Sequence, residues 1–409
     1  MNVVTRFPQK LKNGYNVSFV PARRSKTVQR LLNKLHDDLF AIGITDGELA
    51  KQLQVGKSTI SETFSGKRDM KFYQFSGALM CAYNDDHDLR RKMIMEYVNL
   101  NSEKDYGSYR ETLEYTSYRG ELELLNTMIE KEKGSSYAKN REAATVYEIL
   151  YKRSLERFNG DELLNQLEDV RKKVKYVENS AMCDLLMCYL LYDTGNYRSI
   201  LNYVKNAEEK VKQISVRKNR FIKSSYNHRI IEILSAIHLL RGNVIECREF
   251  SLKLIEQCGS NPQFNIQRVN AFCNLGESYI FCDYNKSLKY LQESLENLGD
   301  PFNQRLKAKK KLILQTMVFL KIYWDKPVGN LEVHPAEKAY LEIKLGNNKK
   351  AEDILMDLLK VQGRLSAFQK FYLGLARNDR KLMEESLEIF EEKGNIFYSQ
   401  LPKRYLGYS

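Results

Sequence analysis

The chain has 409 residues, of which 43% are hydrophobic, 11% aromatic and 29% charged, a composition typical of a globular protein with a sizeable core. Its 21 glycines and 7 prolines are too few for an all-β protein and exclude a collagenous or disordered chain. No apolar run reaches the roughly 18 residues of a membrane span, and no signal peptide precedes the first helix. We therefore expect a cytoplasmic protein without a membrane partner.

The formal net charge of +13 indicates an acidic partner, and its distribution indicates which one. Residues 1–72 contain thirteen Lys and Arg against six Asp and Glu. More than half of the net positive charge therefore lies in less than a fifth of the chain. Such a concentration favours nucleic acid over a generally basic surface.

The sequence contains no pattern that indicates an enzyme, a metal site or a cofactor. The seven cysteines are odd in number, none forms a CxxC pair, and most lie in apolar helical runs, so we expect buried reduced thiols. The five histidines are scattered and none belongs to an HExxH motif. Glycine-rich phosphate loops and GxSxG motifs are absent as well.

The first hundred residues divide into a basic arm and a helical domain. Residues 1–25 contain two prolines, an Asn-Gly pair and an Arg-Arg pair, which predict an irregular arm. From Lys26 apolar residues recur at spacings of three and four, which predicts an amphipathic helix that ends before Gly43. We place a DNA-binding domain at 26–104 and a linker near its end.

A helix-turn-helix motif follows at residues 45–67, with the sequence TDGELAKQLQVGKSTISETFSGK. Thr45 and Glu48 are spaced as a capping box, which predicts the start of the first helix. Gly56 is expected at a left-handed corner of the turn, and Ser58 is expected to cap the second helix. A small apolar core is predicted between the two helices from Leu49, Leu53, Val55, Ile60 and Phe64.

The second helix of this motif is the predicted recognition helix. Short hydroxyl side chains can contact base edges or phosphates, a glutamate can accept from cytosine, and flanking cations suit phosphates. The candidate DNA-binding residues are Lys57, Ser58, Thr59, Ser61, Glu62, Ser65, Lys67 and Arg68.

Residues 105–409 show helical periodicity with short, similar breaks, several of them about 35–47 residues apart, as expected for a two-helix repeat. The clearest copy, residues 339–359, reads AYLEIKLGNNKKAEDILMDLL and resembles a degenerate tetratricopeptide repeat. We therefore predict an all-α protein in which the helix-turn-helix domain precedes a tetratricopeptide-like solenoid. The inner wall of such a superhelix suits an extended peptide.

Polar residues along one predicted helix are candidates for that inner wall. Gln267, Asn270, Asn274 and Glu277 share one face, and Asn amides can both donate to and accept from a peptide backbone. An ordinary solvated face explains the stripe equally well. Further candidates are Asn227 and Arg229 on the preceding helix and Asn395 and Tyr398 near the C-terminus. The basic run at 305–311 (RLKAKKK) is expected to be a solvated face.

Four segments resemble the arbitrium receptors of temperate Bacillus phages, within the wider class of peptide-pheromone receptors. They are TFSGKRDMKFYQFSGAL (63–79), ECREFSLKLIEQ (246–257), LGESYIFCDYNKSLKYLQESL (275–295) and NIFYSQLP (395–402). The resemblance implies a transcription factor in the cytoplasm of the bacterial host that sets the lysis–lysogeny choice. The peptide-free receptor would bind a double-stranded DNA operator. A communication peptide of about six residues would enter the groove and rearrange the DNA-binding heads.

The resemblance also shows where this chain departs from the family. Glu277 stands where relatives carry an asparagine, Asn395 where they carry an acid, and Arg268 is the basic residue nearest to a family arginine. Relatives pair through a Leu-rich final helix, and this sequence ends at Ser409 before such a helix. A homodimer remains open, but we do not expect it to form by that route.

A second function is compatible with the same domain order. Peptide-responsive adaptors use similar repeats to bind a protein partner such as a response regulator or a phosphatase target. In that case the N-terminal helices would bind protein instead of DNA. The hydroxyl-rich helix and the positive charge of the N-terminal region favour the DNA-binding regulator.

Overall fold

The computed structural model describes residues 26–100, 106–155 and 159–408. Within these ranges the chain has 21 α-helices, one short 3-10 helix and no β-strand, which confirms the all-α prediction. No helix in these ranges is both long and apolar enough to span a bilayer. The basic arm predicted at 1–25 lies outside the described residues.

Residues 26–100 form a group of helices that we call the head. Its five helices are α1 (Lys26–Ala41), α2 (Asp46–Gln52), α3 (Lys57–Phe64), α4 (Phe72–Ala82) and α5 (His87–Leu100). The predicted capping box is present at the start of α2, where Thr45 Oγ1 accepts from Glu48 N–H at 3.3 Å. The Glu48 carboxylate accepts in return from Thr45 N–H at 2.8 Å. Two backbone donors at the helix start are thereby satisfied.

The turn between α2 and α3 differs from its prediction. Gly56 has an extended backbone, with φ −68° and ψ 142°, and the left-handed residue is Gln54, with φ 55°. The backbone explains the difference. Gln54 N–H donates to Lys51 at 3.2 Å and Val55 N–H donates to Ala50 at 2.9 Å. These two bonds form a Schellman ending for α2, which requires the left-handed conformation at position 54.

Ser58 is also not the cap of α3. The helix begins at Lys57, and its N-cap is Gly56, which has no side chain to offer a hydrogen bond. Because the Schellman ending places the corner two residues earlier than predicted, the helix starts earlier and Ser58 lies inside its first turn.

The remaining helices form a tetratricopeptide-like solenoid at residues 106–408, in which successive helices pack in pairs joined by short turns. Its helices are α6 (Tyr106–Arg119), α7 (Leu122–Lys133), α8 (Ala138–Arg153), α9 (Gly160–Arg171), α10 (Val177–Asp193), α11 (Ile200–Gln213), α12 (Val216–Leu240), α13 (Val244–Cys258), α14 (Asn265–Glu277), α15 (Tyr284–Leu298), α16 (Gln304–Tyr323), α17 (Pro335–Lys344), α18 (Asn348–Gln362), α19 (Ala367–Arg377), α20 (Arg380–Glu392) and α21 (Ile396–Leu406). A 3-10 turn (Pro262–Phe264) separates α13 from α14.

Two glycines show why the helices of a pair can cross closely. A Cβ atom at Gly276 would lie 2.8 Å from Cγ of Leu291, and one at Gly374 would lie 2.9 Å from Cγ of Met383. Any side chain at these positions would push α14 from α15, or α19 from α20. Small residues near the end of the first helix are therefore a packing requirement of the repeat.

A buried ion pair joins two helices that are distant in sequence. Arg229 of α12 donates to Glu114 of α6 through Nε at 2.8 Å and through Nη2 at 3.1 Å. The side chains are only 2% and 0% exposed. Burial alone would lower the pKa of Arg229, but the Glu114 carboxylate raises it, so the guanidinium stays charged. The Tyr147 hydroxyl also donates to Glu114 Oε2, at 2.7 Å.

We predict that Glu114→Ala lowers the free energy of unfolding by about 3–5 kcal/mol, because it leaves the Arg229 charge buried and uncompensated. Urea unfolding followed by circular dichroism measures the change. The control is Glu249→Ala on the exposed side of α13, which should stay within about 0.5 kcal/mol of the parent. An E114A protein as stable as the control would show that the pair does not hold α6 and α12 together.

Candidate functional site

The first candidate site is the outer surface of α3. Ile60, Thr63 and Phe64 are buried and fix the inner face of the helix. Of the eight predicted DNA-binding residues only Thr59 is half-buried; the exposed ones are Lys57, Ser58, Ser61, Glu62, Ser65, Lys67 and Arg68. The structure therefore brings all eight to one accessible helix and the turn that follows it.

The C-terminal end of α3 is held by α1. The Phe64 ring stacks on His36 with centroids 4.3 Å apart, and Gln29 Nε2 donates to the Phe64 carbonyl at 2.7 Å. Arg68 lies back over the helix, with Nη1 at 3.4 Å from Thr59 Oγ1. These contacts hold α3 in a defined orientation while its polar face stays accessible.

The second candidate site is a cavity of about 220 Å³ on the inner side of the solenoid, which we call the central cavity. It contains three of the predicted peptide-binding residues: Arg229, Asn270 and Asn274. The other residues that line it are Tyr118, Arg153, Cys188, Tyr189, Tyr192, Glu232, Ile233, Ala236, Arg305, Lys309 and Leu312.

The two asparagines of the central cavity have unused acceptors. Asn270 Nδ2 donates to Glu232 at 2.9 Å, and Asn274 Nδ2 donates to Ser235 Oγ at 3.1 Å. Within the described residues neither Oδ1 atom accepts a hydrogen bond. Both amides are thus fixed in orientation and present a carbonyl oxygen that can accept from a ligand N–H.

Four cationic side chains and one carboxylate, that of Glu232, line the central cavity. Arg229 is neutralised by Glu114, and Arg153 forms a two-bond pair with Asp193 at 2.6 and 3.0 Å. Arg305 donates to the Ser117 carbonyl at 2.6 Å, and in the described part of the chain it forms no ion pair with a carboxylate. Burial, and then the charges of Arg153 and Arg229, lower the pKa of Arg305. Its charged form is therefore held at a cost that an anion in the cavity would offset.

A second cavity of about 450 Å³, the outer cavity, adjoins the first and shares Tyr192 and Leu312 with it. It contains the other three predicted residues that reach the groove: Glu277, Asn395 and Tyr398. Tyr398 donates to Glu277 Oε2 at 3.3 Å. The Asn395 side chain accepts from Tyr398 N–H at 3.3 Å and caps α21, so this oxygen already has a structural role.

Three predicted residues lie outside both cavities. Asn227 is exposed and lies two residues before Arg229, so it points away from the groove when Arg229 points inward. Gln267 is buried in the first turn of α14, and in the part of the chain that the structure describes its Oε1 has no hydrogen-bond partner. Arg268 points to the other side of α14, where it donates to the Gly259 carbonyl and to Asn265 Oδ1.

The expectation that residues 305–311 form a solvated face is wrong for two of them. Arg305 and Lys309, spaced by four on one face of α16, line the central cavity. Lys307 and Lys311 point elsewhere and are exposed. The spacing of four was present in the sequence, but a run of cations alone does not show which face is turned inward. No pattern in the sequence indicated the other polar residues of the cavity, which include Arg153, Glu232 and three tyrosines.

The comparisons with known proteins agree with this architecture. A family model described as "AimR transcriptional regulator-like" matches residues 91–407. The chain belongs to this AimR-like family. The matched residues begin within α5, so the helix-turn-helix lies before them.

Relatives and solved structures extend the match. An uncharacterised protein of Bacillus anthracis is 33% identical over 250 residues, which cover 60% of this chain and 92% of the relative. The AimR transcriptional regulator of Bacillus phage SPbeta is 25% identical over 349 residues, covering 81% of this chain and 84% of the relative. A solved structure of phAimR with a ligand has 19% identity and a TM-score of 0.66, covering 83% of this chain and 98% of that one. This last likeness shows a shared fold.

Membership in the AimR-like family makes the chain a transcriptional regulator and not an enzyme. The prediction of buried thiols holds for most of the cysteines. Five of the seven are buried, and burial raises the pKa of Cys247 and Cys273 to about 11, so these thiols stay protonated and unreactive. In the described ranges no group of His, Cys, Asp or Glu is placed to hold a metal ion.

Burial raises the pKa of Glu277 above its ordinary value of 4.5, although the Lys309 charge opposes the shift. The folded protein therefore binds this proton more tightly than the unfolded chain. The resulting stability is present at acid pH and is lost as the pH rises from about 4.5 through the raised pKa. We predict that Glu277→Gln gains stability relative to the parent as the pH increases from about 4 to about 8.

Urea unfolding of both proteins across this pH range measures the difference, which cancels the titration of all other groups. Glu249→Gln, on an exposed helix face, controls for the loss of one carboxylate. A difference between E277Q and parent that stays constant with pH would contradict the raised pKa.

Proposed function

We propose that this AimR-like regulator binds a DNA operator through α3 and is controlled by a short peptide in the two adjoining cavities of the solenoid. The peptide-free protein binds the operator in the cytoplasm of the bacterial host and favours lysis. Peptide occupancy favours a conformation that binds DNA poorly, because a ligand shifts an equilibrium only by its preference for one state. The proposal rests mainly on one observation. Asn270 and Asn274 present Oδ1 acceptors without a partner among the described residues, in a cavity that also contains Arg305 and Lys309.

The surface of α3 supports DNA as the partner. Its exposed side carries three hydroxyls and one carboxylate, and Lys57, Lys67 and Arg68 flank them. Cations at the two ends of a short polar helix suit the phosphates on either side of a major groove. An adaptor that binds protein would more commonly present an apolar or aromatic centre at this surface.

The cavities support a peptide as the ligand. An extended chain of six residues spans about 20 Å, so it needs an elongated groove and not a single pocket. Asn270 and Asn274 offer carbonyl oxygens to its backbone N–H groups. Arg305 and Lys309 suit the terminal carboxylate of the peptide or an acidic side chain.

We predict that replacing Lys57, Lys67 and Arg68 together with alanine weakens DNA binding and makes it less sensitive to salt. Each lost phosphate contact removes about 0.9 from the slope of log affinity against log salt, so the triple variant should lose about 2.7. Gel-shift titrations on phage and host promoter fragments, at several salt concentrations without peptide, measure both effects.

The matched control is the triple alanine variant of Lys172, Lys349 and Lys360, which are at least 71% exposed and lie on the solenoid. It removes the same charge and should bind DNA like the parent. If the α3 variant also binds like the parent, α3 is not the recognition helix. If no promoter fragment is retained by the parent, the protein-binding adaptor becomes the better explanation.

We predict that a hexapeptide encoded in a neighbouring reading frame raises the melting temperature of the parent, since a ligand of the folded state stabilises it. The double variant Asn270→Ala, Asn274→Ala should lose most of this shift, because it removes both backbone acceptors. Asn227→Ala, on the exposed side of the neighbouring helix, should keep it. No stabilisation by any such peptide at saturating concentration would refute the receptor assignment.

A further inference from the structure

The turn of the helix-turn-helix contacts the solenoid directly. Arg220 Nη2 donates to the carbonyl oxygen of Gln54 at 3.1 Å. The Gln54 side chain packs against Gly259, where a Cβ atom would lie 2.7 Å from Nε2. Gln54 is the left-handed residue that ends α2, and it lies only three residues before Lys57, the first residue of α3. The solenoid therefore holds the head at a strained position next to the proposed recognition helix.

A second set of contacts lies beside the first. The Phe221 ring stacks on Tyr73 of α4 with centroids 6.3 Å apart, and on Phe264 at 6.0 Å. Gln263 Nε2 donates to Ser76 Oγ of α4 at 2.6 Å. A small cavity of about 40 Å³ remains among these side chains. The interface therefore combines hydrogen bonds with aromatic packing between the head and the solenoid.

The solenoid side of this interface begins where α12 is broken. Asn219 has a non-helical backbone, with φ −136° and ψ 43°. Its side chain donates to Glu178 Oε1 of α10 at 2.9 Å, and Glu178 is also paired with Lys139 at 2.6 Å. The break is therefore anchored to the neighbouring repeat. From Arg220 to Leu240 the helix is continuous.

The same continuous helix lines the central cavity with Arg229, Glu232, Ile233 and Ala236. At 1.5 Å per residue, Arg220 and Glu232 are separated by about 18 Å along the helix axis. Arg229 is fixed to α6 by Glu114, so α12 cannot rotate at the cavity without moving α6 or breaking the pair. Because the helix is unbroken from Arg220 to the cavity, a displacement of α12 that carries α6 with it or breaks this pair moves Arg220 as well.

We propose that α12 transmits peptide occupancy from the central cavity to α3, and that Arg220 is the positioning residue at its head end. The inference rests on the proposed function, because it requires both ligands. The Arg220–Gln54 hydrogen bond belongs to the conformation in which α3 is oriented for DNA. A peptide that displaces Glu232 or Arg229 moves α12, changes this contact and reorients the helix.

The experiment compares Arg220→Ala with Arg217→Ala in the full chain. Both residues are exposed, both lie at the N-terminal end of α12 and both changes remove one positive charge. Among the described residues Arg217 forms no hydrogen bond or ion pair, so R217A is the matched control. The promoter fragment retained by the parent and the hexapeptide that stabilises it most serve as probes. DNA affinity is measured with and without saturating peptide, and peptide affinity by calorimetry.

The expected result is a loss of coupling in one variant only. Parent and R217A should show the ratio of DNA affinities without and with peptide that is typical of allosteric proteins, about 5- to 150-fold. In R220A this ratio should fall to within about twofold of one, while the peptide alone still binds. By reciprocity, DNA should also stop weakening peptide binding in R220A.

Other results would overturn the inference. If R220A weakens DNA binding equally with and without peptide, Arg220 is a phosphate contact and not a positioning residue. If R220A keeps the coupling of the parent, the signal does not pass through this contact. A parent that binds both ligands without any coupling, or fails to bind one of them, contradicts the proposed function itself and is therefore distinguishable from a failure confined to α12.

Discussion

The buried ion pair between Arg229 and Glu114 is the constraint on which the groove depends. In a helical repeat each helix contacts mainly its neighbours, but this pair joins α6 and α12, whose paired residues are 115 positions apart. Two charges can be buried only if the remaining hydrogen-bonding capacity is satisfied, and Tyr147 and Ser117 provide part of it. Since few arrangements meet this requirement, the cluster fixes the register of α12 against α6. The cavity opens beside this fixed point.

The same cluster determines how charge is divided along the groove. Glu114 neutralises Arg229, so the cationic character of the central cavity comes mainly from Arg305 and Lys309 of α16. The acidic Glu277 lies in the adjoining outer cavity, where its partner Tyr398 is uncharged. A ligand in the central cavity also meets the Glu232 carboxylate, and the Lys309 charge acts on Glu277 as well. Part of the positive charge that lies outside residues 1–72 is therefore inside the solenoid.

Local features of the fold could be predicted from the sequence, and features set by superhelical packing could not. Capping at Thr45 depends on residues three positions apart, and the pattern shows it. The corner at Gln54 was missed because a Schellman ending is defined by backbone hydrogen bonds and not by a glycine. Asn270 and Asn274 of the α14 stripe line the central cavity, and their role in binding a peptide stays a prediction. Periodicity identifies the polar face of a helix but not the part of that face that a neighbouring helix covers. The burial of Gln267, which lies on the same stripe, could therefore not be predicted.

Several contacts connect the head to the elements that form the cavity, and two of them lie on different helices. Arg220 of α12 contacts the turn before α3, and Phe302, just before α16, stacks on His87 of α5 with centroids 3.7 Å apart. The helices α12 and α16 also each supply an arginine to the central cavity, Arg229 from α12 and Arg305 from α16. A ligand drawn to Arg305 and a ligand that displaces Arg229 would therefore act on different contacts with the head. Under the proposed function, a displacement of α12 or α16 at the groove changes these contacts and thereby the orientation of α3.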